Sequence, residues 1–406
     1  MTETIFFCEY SVFNKELNLE IKIYQSIFQL KKEDWSLLTG NTSPFISYEF
    51  LGALEKTGCI GKEKGQVPFY FTLWGEGELK ACYYIFLKGH SYGEYIFDWA
   101  WADAFQRAGL PYYPKFCSQT PFTPISDPKL LVHPNYLDSK GDFSKILQNA
   151  VFEVAKKIGT SSIHVLYIPN NEKDYFPKEA YLHRKTHQYH FKNRDYKSFS
   201  NFLNGLEKKR RKQIQKERNY IVKKSGLVIK QFTGDSLKEE HASLWYQCYL
   251  STIKKKWAQG YLNEIFFEEL FKKLPDKTLL VLAFRGQELV AGSLFLYNEE
   301  TLYGRYWGAL EKTKFLHFEM CYYQGLDFVF SKGLKRFEAG AQGEHKIKRG
   351  FLPERIWSAH YIENQIFREA ISQFIHDEGK SLEEFFEVIE KKMNPYKKRS
   401  TDDKKS

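Results

Sequence analysis

The stretch FEAGAQGEHKIKRGF, from Phe337 to Phe351, sets Glu338, Glu344, His345, Lys346, Lys348 and Arg349 among Gly340, Gly343 and Gly350. Acid, imidazole and amine side by side are the groups that proton transfer and charge stabilisation use. Glycines let the backbone turn with positive φ and let other groups approach closely. Glu344 and His345 are the candidates for a general base, since an imidazole titrates near neutral pH and a desolvated carboxylate can do so. A solvated surface loop is the alternative for a segment this charged. No Cys or Ser stands in a nucleophile context, so group transfer is expected to be direct, without a covalent enzyme intermediate.

Two more groups could take part. Tyr303, Arg305 and Trp307 alternate along an otherwise apolar strand, which predicts one shared face with Tyr306 turned the other way. A strand Arg must meet an anion: Glu319 or Glu338 inside the protein, or a substrate carboxylate or phosphate. In FDWAWADAF, Asp98 and Asp103 flank Trp99 and Trp101. Acids beside indoles could bind an amine or a sugar, with helix N-capping by Asp98 or Asp103 as the structural alternative. His317 and Glu319 lie two apart in a helix and so do not share a face. HRKTHQYH carries His183 and His187 at helical spacing, but the segment reads as extended and no acid or Cys follows at ligand spacing. No metal site is predicted.

The elements that position these groups occur twice. FTLWGEGELKACYYIFLKGHSYGEYIFDW (Phe71 to Trp99) and LVLAFRGQELVAGSLFLYNEETLYGRYWGA (Leu280 to Ala309) both alternate like hairpins around Gly-containing turns. Glu78-Leu79-x-Ala81 matches Glu288-Leu289-x-Ala291, and Tyr92-Gly-Glu-Tyr matches Tyr303-Gly-Arg-Tyr. Each hairpin is followed by an amphipathic helix stopped by glycine (Gly159, Gly333) and then by a strand. The order predicts a tandem duplication of one α/β unit, with the charged stretch running out of the last strand of the second copy.

The predicted boundaries are an N-terminal domain over 1–190, a basic helical connector over 191–226, a C-terminal domain over 227–385 and a disordered basic tail over 386–406. The formal charge is +10 across 406 residues. Nine Lys/Arg against two Glu in Glu207–Lys224, and seven Lys/Arg against two Asp in Lys391–Ser406, leave the rest nearly neutral. An electrostatic partner would therefore meet two patches. Six scattered cysteines without a CxxC pair fit reduced thiols of a cytoplasmic protein. The opening MTETIFFCEY has no basic n-region, and no apolar run approaches about 18 residues, so neither a signal peptide nor stable membrane insertion is expected.

YGRYWGA, LHFEMCYYQGLDF and FEAGAQGEHKIKRGF, with SPFISYEFLGALEKTGC, FDWAWADAFQRAGLPYYPK, and HQYHFKN followed by EKKRRKQIQKER, resemble the Fem-like predicted N-acyltransferases of peptidoglycan biosynthesis or recognition. The resemblance runs over roughly residues 40 to 375. It implies an α/β (α+β) fold of two tandem GNAT-like domains, each a mixed, largely antiparallel sheet flanked by helices, and transfer of an acyl group to an amine. The co-substrate would be an acyl-CoA or an aminoacyl-tRNA; no bound cofactor is implied. Acyl-CoA enzymes of the GNAT type hold pyrophosphate on a glycine loop, and the matching segment ALEKTKF (Ala309 to Phe315) lacks those glycines. Fem ligases carry Phe-Lys-x-Gly-Phe near the reacting carbonyl, which Ile347-Lys348-Arg349-Gly350-Phe351 matches except at Ile347.

Lys348 is thus expected to stabilise the oxyanion, with His345 or Glu344 as base. Arg305, Trp307, Tyr303, Asp98, Trp99, Asp103, Gly343 and Arg349 are expected to bind substrate. The acceptor would be a small-molecule or peptide amine, such as a cell-wall precursor, and Lys208–Lys224 could receive a tRNA donor. The alternative is a non-catalytic protein of the same fold that recognises cell-wall peptide or RNA.

Overall fold

The computed structural model describes residues 11–14, 18–255, 260–340 and 343–397. The chain divides into two compact units, Met1–Thr186 with Ile356–Gly379, and His187–Arg355 with Lys380–Ser406. In the first, the sheet order is Ser11–Asn14, Leu19–Tyr24, Gln66–Gly75, Glu78–Lys88, Lys115–Ser118, Ser162–Ile168 and the end of Leu352–Ile362. Its parallel pair is Lys115–Ser118 with Ser162–Ile168. Parallel neighbours need a long crossover, and helix Lys140–Ile158 supplies it. That helix buries Phe143, Leu147, Val151 and Val154, spaced three and four apart, in one core with Phe69, Phe71, Tyr83 and Ile163.

The second unit repeats the plan. Its strands run Val228–Phe232, Thr278–Arg285, Glu288–Tyr297, Thr301–Ala309, Arg336–Glu338 and the end of Leu182–Lys192. Thr301–Ala309 pairs in parallel with Arg336–Glu338, and the helical run from Leu316 to Lys332 crosses between them. Gly159 (φ 76°) and Gly333 (φ 67°) end the two crossover helices in the left-handed conformation. Each half is therefore a mixed, largely antiparallel GNAT-like sheet with helices against it, in tandem.

The hairpins agree to the residue. Register shifts from Leu73↔Ala81 to Trp74↔Leu79 in one, and from Ala283↔Ala291 to Phe284↔Leu289 in the other. The repeated Glu-Leu-x-Ala thus carries the same bulge in both copies. The second sequence match has a different fate. Tyr303–Tyr306 lies inside a strand, whereas Tyr92–Tyr95 is in an irregular segment outside any strand.

Helix His241–Lys255 lies so close to strand Thr301–Ala309 that a Cβ on Gly308 would stand 1.7 Å from the Cys248 carbonyl oxygen. Both sides of that clash are backbone. Gly308→Ala is expected to destabilise the protein by about 3 kcal/mol, read as a lower urea midpoint. An unchanged midpoint would mean the helix can retreat freely.

Residues 191–226 belong to the second unit, where Ile214, Glu217 and Ile221 of helix Lys208–Lys224 face inward, so this segment is packed and is no connector. Ile356–Gly379 groups with the first unit. The tail predicted as disordered from 386 is ordered through 397: helix Gln365–Val388 continues into a turn at Ile389–Met393, and Tyr396 is buried with its hydroxyl donating to the Gly350 carbonyl at 2.7 Å. One tyrosine outweighed the polarity of its neighbours. Residues 398–406 lie outside the described region.

Candidate functional site

The second unit holds a cleft of about 540 Å³. Its walls come from Ser293 to Phe295, Gly304 to Trp307, His317, Cys321 and Tyr322 of the crossover helix, and Ala339, Gly343, His345 and Lys346 of the charged loop. Local irregularity aims the side chains. Strand register slips between Leu294↔Tyr306 and Phe295↔Gly304, leaving Arg305 as the extra residue of a bulge. The expected alternation therefore fails: Arg305, Tyr306 and Trp307 all line the cleft, while Tyr303 is buried outside its lining. Arg305 lies over the Tyr306 ring, 4.8 Å from its centroid. On the helix, a π-type turn at Glu319–Tyr323 sets Cys321 and Tyr322 toward the cleft; such turns often mark functional positions.

The loop folds as a 3-10 helix over Glu344–Arg349. Side chains three apart eclipse in that geometry, so Lys346 and Arg349 go inward together and Lys348 goes out to solvent. Lys348, expected to stabilise the oxyanion, does not line the cleft, and the lysine that does is Lys346. Its ammonium donates to the carbonyls of Ala339 (2.5 Å) and Gly340 (3.1 Å) and sits over the Tyr189 ring. Burial pushes its pKa down to about 8. Glu344 is exposed and does not line the cleft.

His345 lines the cleft, with Nε2 2.9 Å from the Tyr322 hydroxyl. Burial, then Arg349 and Lys346, lower its pKa, which favours the neutral imidazole. Gly343 (φ 101°) makes room for it, because a Cβ there would meet the imidazole ring at 2.4 Å. His317 stacks edge-on to Trp307. Burial together with His345, Lys346 and Arg349 brings its pKa down to about 4. Burial raises the Cys321 thiol, away from the thiolate a nucleophile requires.

Arg349, expected on substrate, does not line the cleft. It forks onto Glu217 (2.7 and 3.1 Å), donates to the His345 carbonyl (2.7 Å) and stacks on Phe318. Tyr323 also donates to Glu217. Glu319 takes Arg218 at 3.4 Å and Gln324 at 2.8 Å.

Asp98, Trp99 and Asp103 belong to the first unit and do not line this cleft. Asp98 occupies the N-cap position of Trp99–Arg107 without a side-chain cap bond. Its carboxylate accepts from Lys115 and from Tyr112 (2.6 Å). Burial alone would raise its pKa, but Lys115, His164 and these hydrogen bonds hold it well below the usual range. Lys115 in turn reaches Glu94 (2.9 Å), and Glu94 reaches Lys88 (3.1 Å). Trp99 lies in an exposed cluster with Tyr92 and Phe97, and Asp103 is exposed.

Among the described residues, no group of three or more His, Cys, Asp or Glu is placed to hold a metal ion. HRKTHQYH lies in strand Leu182–Lys192. The described cysteines are Cys59, Cys82, Cys117, Cys248 and Cys321, all free. Among the described residues no helix is long and apolar enough to cross a membrane.

A fold of two tandem GNAT-like units with a cleft beside the second parallel pair defines the class. The chain belongs to the FemAB-like family, described by peptidoglycan biosynthesis/recognition, whose model matches residues 26–398. Its fold is similar to that of FemX (11% identity, 84% of this chain and 98% of that chain, TM-score 0.52). It is also similar to the C-terminal DUF2156 domain of an Agrobacterium fabrum protein described as a lysylphosphatidylglycerol synthetase (7%, 84% and 95%, TM-score 0.53). No curated protein matches the chain significantly.

Proposed function

We propose that the second-unit cleft transfers an acyl or aminoacyl group to an amine, with a cell-wall peptide precursor as the acceptor class. The observation that carries this reading is Lys346, a buried ammonium with a lowered pKa that lines the cleft beside a neutral His345. In the reaction the acceptor nitrogen attacks the donor carbonyl, a C–N bond forms, and negative charge collects on the carbonyl oxygen. Lys346 stabilises that oxygen. His345, whose imidazole is held by Tyr322, takes the proton from nitrogen. The C–O or C–S bond to the carrier then breaks and the oxyanion collapses to the amide. Arg305 offers a guanidinium for a carboxylate or phosphate of either substrate.

The family description supports a peptidoglycan context, and free cysteines fit a reducing, cytoplasmic setting. A tRNA on Lys208–Lys224 draws no support from the relatives, so acyl-CoA and aminoacyl-tRNA enter the test as alternative donors. Amide formation is measured with each donor and a lysine-containing muropeptide. Lys346→Met is expected to lower kcat about 10²–10³-fold while the muropeptide still binds. Wild-type turnover in that variant would reject the assignment of Lys346. Muropeptide binding with no transfer from either donor would make the chain a recognition protein.

A further inference from the structure

The first unit contains a second hollow, of about 480 Å³, lined by Lys173, Asp174, Lys178, Tyr181, His183, Lys185 and Trp357 among others. It shares no residue with the cleft of the second unit. Trp357 forms its platform, fixed in a strand where it pairs with Ile168, and it is only half-buried. The ammonium groups of Lys173 and Lys185 stand 5.5 and 5.2 Å from the Trp357 ring centroid. His183 is anchored by its Nε2 to the Phe176 carbonyl at 2.6 Å and meets the indole edge-on at 6.4 Å. With three lysines against Asp174, the hollow carries a net charge of about +2 from its lining side chains.

We propose that this hollow binds a small phosphorylated ligand that carries a ring. A phosphate brings about −1.5 to −2 at neutral pH and three acceptor oxygens, which suits several ammonium groups better than a single carboxylate would. Lys173 gains only about 0.5–1 kcal/mol from its cation–π contact with the indole, so it can swing to a phosphate while the indole packs against the ligand's ring. The hollow's size falls within the range of small-molecule sites, and its limited extent favours a discrete ligand over a lipid surface.

The probes are AMP, glucose 6-phosphate, inorganic phosphate and phosphatidylglycerol vesicles, titrated into the full chain by calorimetry and tryptophan fluorescence. AMP or glucose 6-phosphate is expected to bind at least tenfold more tightly than inorganic phosphate, with affinity that falls as salt rises. Lys173→Gln with Lys185→Gln should weaken that binding at least tenfold at an unchanged melting temperature. Trp357→Phe should keep binding but remove the fluorescence change. Failure of both organic phosphates to bind below millimolar concentration overturns the proposal. So does binding that the double lysine variant leaves untouched, or binding to vesicles alone.

Discussion

Glu217→Ala is expected to cost about 3–5 kcal/mol of stability, because it strands the Arg349 guanidinium in the interior of the second unit. Glu217 and Arg349 are 3% and 2% exposed, so water cannot replace the lost partner. Removing one member of a buried pair is more damaging than losing both, since the survivor keeps its desolvation penalty. Glu217→Leu combined with Arg349→Met should therefore recover part of the loss. The same pair holds the charged loop, since Arg349 also donates to the His345 carbonyl. Urea unfolding of the single and double variants measures the effect. Equal midpoints for wild type and Glu217→Ala would show that the ion pair is not what fixes the loop. As a local control, Lys216→Ala on the exposed side of the same helix should stay within about 0.5 kcal/mol.

Acid should unfold the protein at a mild pH. Burial, the largest cause in each case, brings His164 and His190 down to about 3 and His317 to about 4, and holds His360 well below its ordinary value. Below pH 6.5 the unfolded chain binds four protons that the folded chain refuses, so stability falls with pH. Asp127 acts in the opposite sense. Burial raises it to about 6, so between pH 6 and its unfolded value near 4 the folded state binds one proton more. Three net protons correspond to about 4 kcal/mol per pH unit in that interval. A protein of ordinary stability, about 5–15 kcal/mol, should lose its fold between about pH 3 and 5. Melting temperature followed by circular dichroism from pH 7 to 4 tests this. His164 and His360 face each other through their Nδ1 atoms at 2.7 Å, an arrangement that admits one shared proton. His164→Gln should flatten the profile by about one proton, and a flat profile in the wild type would contradict the burial argument.

Much of the plan was legible in the chain. The Glu-Leu-x-Ala repeats, the glycines that end the crossover helices and the strand after each gave two copies in order, because those signals are local. What escaped depended on phase or on distant partners. Lys346 and Lys348 look alike in sequence, and the choice between them rests on whether the loop turns in three residues or alternates. Arg305 was placed on one strand face, yet a bulge sets Tyr306 beside it on the cleft. Asp98 looked available for a ligand because Lys115, which claims it, lies 17 residues away. The signal missed for Arg349 was Glu217, the lone acid inside a run of cations. An acid there is expected to face inward or to pair, and it does both.

The chain Lys88–Glu94–Lys115–Asp98 inside the first unit has an evolutionary consequence. A greasy interior can change one methyl group at a time, each step nearly neutral. An interior organised by alternating charges cannot, since any single replacement passes through an intermediate with an orphaned ion. Viable routes require paired substitutions, and such routes are rare. That half should drift slowly and in correlated jumps, while the lysines and aromatics at its surface vary independently, so ligand preference can diversify around a scaffold that epistasis keeps nearly frozen.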